Sequence, residues 1–115
     1  MARYTSLFTV TDTMERVWQS LIETLESCDL NIIYESRDYL VAREKPGQVS
    51  FSQLVTLEAL IDRSLSSQEA THLSLVVKNE ELPLQTDNHC YQRFNFIIQA
   101  IEENPNCQMI ENVAG

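Results

Sequence analysis

The stretch Val49-Ser50-Phe51-Ser52-Gln53-Leu54-Val55-Thr56-Leu57-Glu58-Ala59-Leu60-Ile61 decides the fold. Val49, Phe51, Gln53, Val55, Leu57, Ala59 and Ile61 recur at every second position between largely polar neighbours, so the spacing predicts one long strand over 49–61 with a single buried face. A strand covered on both faces, as in a parallel sheet, reads as a continuous apolar run instead. Alternation therefore points to an antiparallel sheet whose outer face carries Ser50, Ser52, Leu54, Thr56 and Glu58. Moving toward the C-terminus, the polar loop Asp62 to Glu69 gives way to Thr71–Lys78. There Leu73, Leu75 and Val77 face inward, while His72, Ser74 and Val76 face outward. Moving toward the N-terminus, Lys45-Pro46-Gly47 forms a turn. Beyond it, Leu30–Glu35 and Tyr39–Arg43 form two strands joined by the short connection Ser36-Arg37-Asp38.

Farther out the period changes to that of helices. Met14, Val17, Trp18, Leu21, Ile22 and Leu25 make one apolar stripe, started by Asp12 as N-cap with Glu15 reaching back in a capping box. Ahead of it, Tyr4–Val10 is rich in β-branched and aromatic residues and reads as the first strand. After a connector from Asn79 through Asn88, containing Pro83, a last helix capped by Asp87 or Asn88 presents Tyr91, Phe94, Ile97, Ile98 and Ile101. Asn104-Pro105-Asn106 ends it. The chain thus reads as a single α+β domain over residues 1–106 with a flexible C-terminal tail over 107–115. Its architecture is an antiparallel five-stranded sheet with two helices on one face, in the order β-α-β-β-β-β-α.

That element order resembles the helix-grip and TATA-binding-protein-like folds over about 100 residues. The resemblance implies three classes of activity: ligand cradles, nucleic-acid binders and protein adaptors.

Charge separates these classes. The 115 residues carry 17 acids and 8 bases, a net charge of −9 spread along the chain, and the bases occur singly apart from Arg43 with Lys45. Nucleic acid is bound by neutralising phosphates with Lys and Arg, so no nucleic-acid partner is expected. The start Met1-Ala2-Arg3-Tyr4 opens no apolar signal segment, and no run approaches a membrane span. A cytoplasmic location without membrane insertion is the expectation. Cys28, Cys90 and Cys107 are an odd number at wide spacing and read as free thiols.

Chemistry-bearing patterns are sparse. His89-Cys90 sits where a helix N-terminus could lower a thiol pKa, yet neighbours on a helix point about 100° apart, and Cys90 lies close to the apolar stripe. A structural cysteine outweighs a nucleophile, and a cysteine-dependent enzyme is the weakest reading. His72 reads as a surface histidine, and the two His lie on different elements without metal-ligand spacing. Two glycines are too few for a glycine-rich phosphate cradle, and neither Glu80-Glu81 nor Glu102-Glu103 resembles a catalytic dyad. No catalytic residue, cofactor or metal is expected. The main reading is a small non-enzymatic protein-binding or adaptor module that engages its partner through the sheet face or through the acidic helix face of Glu15, Glu23 and Glu26, with a homodimer among the associations it allows. Leu54 and Val76 would form the dry centre of its surface, with Glu58, Arg63 and His72 at the rim. The alternative is a carrier holding a small apolar or aromatic ligand between helices and sheet, lined by Trp18, Tyr34, Tyr39, Tyr91 and Phe94.

Overall fold

The computed structural model describes residues 2–47, 49–64, 66, 70–81 and 88–103, and the strand backbone of 107–114. Its elements are β1 (Ala2–Val10), α1 (Met14–Ser27), β2 (Leu30–Glu35), β3 (Tyr39–Glu44), β4 (Thr56–Ile61), β5 (Thr71–Asn79), α2 (His89–Glu102) and β6 (Cys107–Ala114). The five expected strands and both helices occur in the expected order. Every pairing is antiparallel, and the sheet runs β2-β3-β4-β5-β1-β6. No described helix is long and apolar enough to cross a membrane.

Two expectations are corrected. Residues 107–114, read as a loose tail, form a sixth strand that pairs with β1 from Tyr4↔Ala114 to Val10↔Cys107. The thirteen-residue strand over 49–61 is shortened at its N-terminal half, where Phe51–Gln53 form a 3₁₀ turn. The Gln53 amide donates to the Ser50 carbonyl at 3.0 Å, and the Ser50 amide donates to Gln53 Oε1 at 3.3 Å. Ser and Gln here satisfy a local turn rather than decorating a strand face. Phe51 therefore projects into solvent at 75% exposure, while Leu54, expected outside, is buried. Strand β4 also lies in the middle of the sheet, so it offers no free edge.

Strand alternation sorts the side chains cleanly. Tyr4, Phe8 and Val10 of β1, Leu40 and Ala42 of β3, Leu57, Ala59 and Ile61 of β4, and Leu73, Leu75 and Val77 of β5 are buried on one side. Onto them pack Val17, Trp18, Leu21 and Leu25 of α1 and Cys90, Phe94, Ile97, Ile98 and Ile101 of α2, so both helices share that face. Each such fully buried aliphatic or aromatic side chain is worth about 1.5–3 kcal/mol relative to exposure, which makes this face the source of stability. Tyr91 departs from the expected stripe and is 40% exposed, although its ring still lies 5.3 Å from Tyr4.

Local signals fix the helix ends. The N-cap of α1 is Thr13, whose hydroxyl accepts from the Arg16 amide at 3.3 Å, while Asp12, the expected cap, accepts from the Thr13 amide at 2.8 Å. Asp29 takes a left-handed conformation, φ 63°, just past the end of α1, which turns the chain into β2. Gly47, φ 126°, serves the expected turn after β3. Asn88 caps α2 by accepting from the Tyr91 amide at 2.7 Å. The other expected cap, Asp87, lies outside the described residues, as do Pro83 and Asn104-Pro105-Asn106.

Candidate functional site

One buried charge anchors the helical layer. Glu44 is the only charged residue among the described ones that is fully buried, because it follows Leu40 and Ala42 in the inward phase of β3. Its Oε1 accepts from the Val55 amide at 3.1 Å, and His89 Nε2 of α2 lies 2.8 and 2.9 Å from its two oxygens. Arg93 Nε stands 3.4 Å from Oε2 at an ion-pair distance without hydrogen-bond alignment, while Arg93 Nη2 donates to the Cys28 carbonyl at 2.8 Å. A carboxylate can remain buried when its oxygens are occupied in this way.

Glu81 performs a second docking task. Its oxygens accept from the His89 amide at 3.2 Å and the Cys90 amide at 2.9 Å, at the N-terminus of α2 where a helix attracts negative charge. Burial opposes its ionisation, but hydrogen bonds from Asn79, the two backbone amides and Gln53 outweigh it and hold the carboxyl below its ordinary range. Of the Glu80-Glu81 pair, one member is therefore a helix cap.

The His89-Cys90 neighbours do not meet. The imidazole engages Glu44, whereas the fully buried thiol donates to the Val77 carbonyl at 3.6 Å. Burial, followed by the Glu81 and Glu44 charges, pushes the Cys90 thiol up to about 12. Burial likewise raises Cys28. Buried thiols held in the protonated form are weak nucleophiles.

The residues proposed to line a ligand pocket are dispersed. Trp18 packs beside the β2–β3 turn and donates its indole N–H to the Ser36 carbonyl at 2.8 Å. Tyr34 and Tyr39 touch each other, ring centroids 5.9 Å apart, on the opposite face of the sheet. Phe94 stacks on Tyr4 at 5.4 Å within the core. Between α1, the end of α2 and the sheet, the space bounded by Val10, Val17, Leu21, Leu73 and Ile101 is about 30 Å³. That is room for about one water, against roughly 300–1,000 Å³ for a small-molecule site. An open groove runs past Trp18, Met14, Glu15, Arg37 and Arg63 at the surface.

On the other face of the sheet, the bare face, no described helix packs. Pairing registers order its side chains in rows across the strands. One row reads Asn31, Arg43, Thr56, Lys78 and Arg3 over β2, β3, β4, β5 and β1. The next reads Tyr34, Val41, Glu58, Val76 and Thr5, and a third reads Tyr39, Leu60, Ser74 and Leu7. Beyond these, Thr9 pairs with His72, and its hydroxyl lies 3.4 Å from His72 Nδ1. Glu58 and Val76 are thus direct cross-strand neighbours, with His72 on the same face. Leu54 and Arg63 are not part of it: Leu54 is buried ahead of β4, and Arg63 lies in the turn after β4, beside the Trp18 groove.

Glu58 organises the middle of the bare face. Tyr39 Oη donates to its Oε1 at 2.7 Å and Lys78 Nζ lies 3.0 Å from its Oε2. Those two bonds, Tyr39 first, hold the Glu58 carboxyl below its ordinary range, and the same bond raises the Tyr39 phenol. Arg43 lies over the Phe51 ring, 5.2 Å from its centroid. Arg3, Arg43 and Lys78 were not singled out by sequence reasoning. Alternation placed Lys78 beyond Val76 in the outward phase, but only the register aligns the three bases. The sequence matches no protein-family model and no curated protein.

Proposed function

We propose that this chain is a non-enzymatic protein-binding module, an adaptor, whose docking surface is the bare face of the sheet. The observation that carries the reading is the partly exposed apolar band of Val41, Leu60, Val76 and Leu7, with Tyr34 and Tyr39 at one side. Leu60 is 48% and Tyr34 55% exposed. An apolar centre with aromatic neighbours and a polar rim is the composition of a recognition surface.

Size supports the same reading. Six strands about 4.8 Å apart, with rows spanning about 20 Å along them, give a face of roughly 500 Å² in projection. That corresponds to one side of a small, transient interface rather than an obligate one. The rigid sheet supplies shape, and the apolar band supplies desolvation. The closed interior favours this reading over a ligand carrier.

Panning a random peptide library against the immobilised chain tests it, with the double variant Leu60→Gln/Val76→Gln as the counter-target. The proposal expects peptides enriched on the native chain that fail to bind the variant. Peptides that bind both equally would place recognition elsewhere and overturn it.

A further inference from the structure

The charge of this molecule is divided between its two layers. The helices expose Glu15, Glu23, Glu26, Glu102 and Glu103 against the exposed base Arg16, since Arg93 is taken up by Glu44 and Cys28. The bare face has the opposite balance, with Arg3, Arg43 and Lys78 aligned in one row against Glu58 in the next row and Asp62 at the far end, beside Leu60 and His72. Glu58 is held by Lys78 and Tyr39, and although the nearby Arg3 charge helps to lower its carboxyl, no described carboxylate lies within ion-pair distance of Arg3 or Arg43. A chain of net charge −9 therefore carries a locally positive end on this face, at the row of Arg3, Lys78 and Arg43.

Resting on the docking role of that face, we propose that it reads an acidic, extended segment of a partner protein. Carboxylates of the segment meet Arg3 and Arg43 at the two ends of the row while its apolar side chains lie over Val41, Leu60 and Val76. Arg3 and Arg43 stand three strand intervals, about 14 Å, apart, and same-side residues of an extended chain repeat at about 6.8 Å, so carboxylates two repeats apart reach both, with Lys78 and its partner Glu58 between them. Alternating acid and apolar residues place one set toward the row and the other toward the apolar band. Arginine suits this task because its planar guanidinium takes a carboxylate through two hydrogen bonds, and Arg43 is steadied over Phe51.

Rival occupants fit the charges less well. Nucleic acid would meet three bases with a carboxylate in the adjoining row and strong repulsion from the rest of the chain. A second copy would bring its own basic row to the same face.

The test is fluorescence anisotropy with three labelled peptides of equal length, alternating Val with Glu, Gln or Lys. The full-length chain and its Arg3→Glu/Arg43→Glu and Leu60→Gln variants are compared, with thermal melting to establish that each variant is folded. The Glu peptide should bind most tightly and lose about tenfold or more in affinity on Arg3→Glu/Arg43→Glu. It should also weaken between roughly 0.05 and 0.3 M salt, as screening shortens. Equal binding of the Gln peptide, or preference for the Lys peptide, would overturn the acidic specificity. Loss of these peptides on Leu60→Gln would in that case leave the docking face standing. Glu-peptide binding unchanged in both variants would overturn docking on this face as well. Tighter binding of a labelled oligo-dT, or a doubled mass by light scattering that excludes the peptide, would likewise overturn the proposal.

Discussion

The two faces of one sheet are made by the same strands, residue by residue in alternation, and yet they do opposite work. On β4, Leu57 is wholly buried under the helices while Leu60, on the other side, is about half exposed. On β3, Glu44 is sunk in the helical layer with its oxygens taken, whereas Arg43, one residue before, stands in the open. A period of two distributes chemistry between a face that holds the fold together and a face on which no described helix packs. If the bare face docks a partner as proposed, stability and recognition are separable by mutation.

The strongest way to break that separation is at Glu44. Glu44→Ala leaves His89 and the Val55 amide without their shared acceptor and Arg93 without its ion-pair partner, and should cost about 3–5 kcal/mol in urea unfolding. A loss below 1 kcal/mol would show that α2 is held by apolar packing alone. Next comes the pair Leu57→Ala and Leu60→Ala. The first should cost about 2–5 kcal/mol through the cavity it leaves. The second should stay within about 0.5 kcal/mol while weakening peptide binding. Similar costs at both positions would mean the bare face is structural too.

Acid titration sharpens the comparison further. Glu81 under α2 and Glu58 on the bare face both have carboxyl pKa values lowered from 4.5, so each contributes stability above that value that is lost as pH falls through the lower folded value. Glu81→Gln should therefore flatten the acid limb of a melting-temperature profile more than Glu58→Gln, because Glu81 holds a helix end. Equal flattening would deny Glu81 that role. The smallest effect concerns the thiols. Cys90 should react with a thiol reagent at neutral pH only as fast as the protein opens, since its thiol is buried and pushed up to about 12. Rapid labelling in the folded state would contradict the burial.

Much of the covered face was legible in the sequence, because burial writes itself as a period: the α1 stripe, the inward Leu73, Leu75 and Val77, and the β2–β3 hairpin all follow from it. Where polar residues alternated for another reason, the reading slipped, as at Ser50, Ser52 and Gln53, which build a turn. Strand β6 was missed because its partner is β1 at the other end of the chain, and no local pattern announces a pairing across about a hundred residues. The bare face was legible only in part. Alternation placed Glu58, His72 and Val76 together on it, but the row that aligns Arg3 with Lys78 and Arg43 is a property of register. Glu44 did carry a signal, an acid in the inward phase of β3 after Leu40 and Ala42.

Methyl NMR tests the division of labour between the faces most directly. Titrating the alternating Val-Glu peptide into methyl-labelled protein should shift the resonances of Leu7, Val41, Leu60 and Val76 on the bare face. Those of Leu40, Leu57, Leu75 and Val77 under the helices should move little. Shifts concentrated instead on Val17, Ile22 or other methyls of the helical layer would contradict the account.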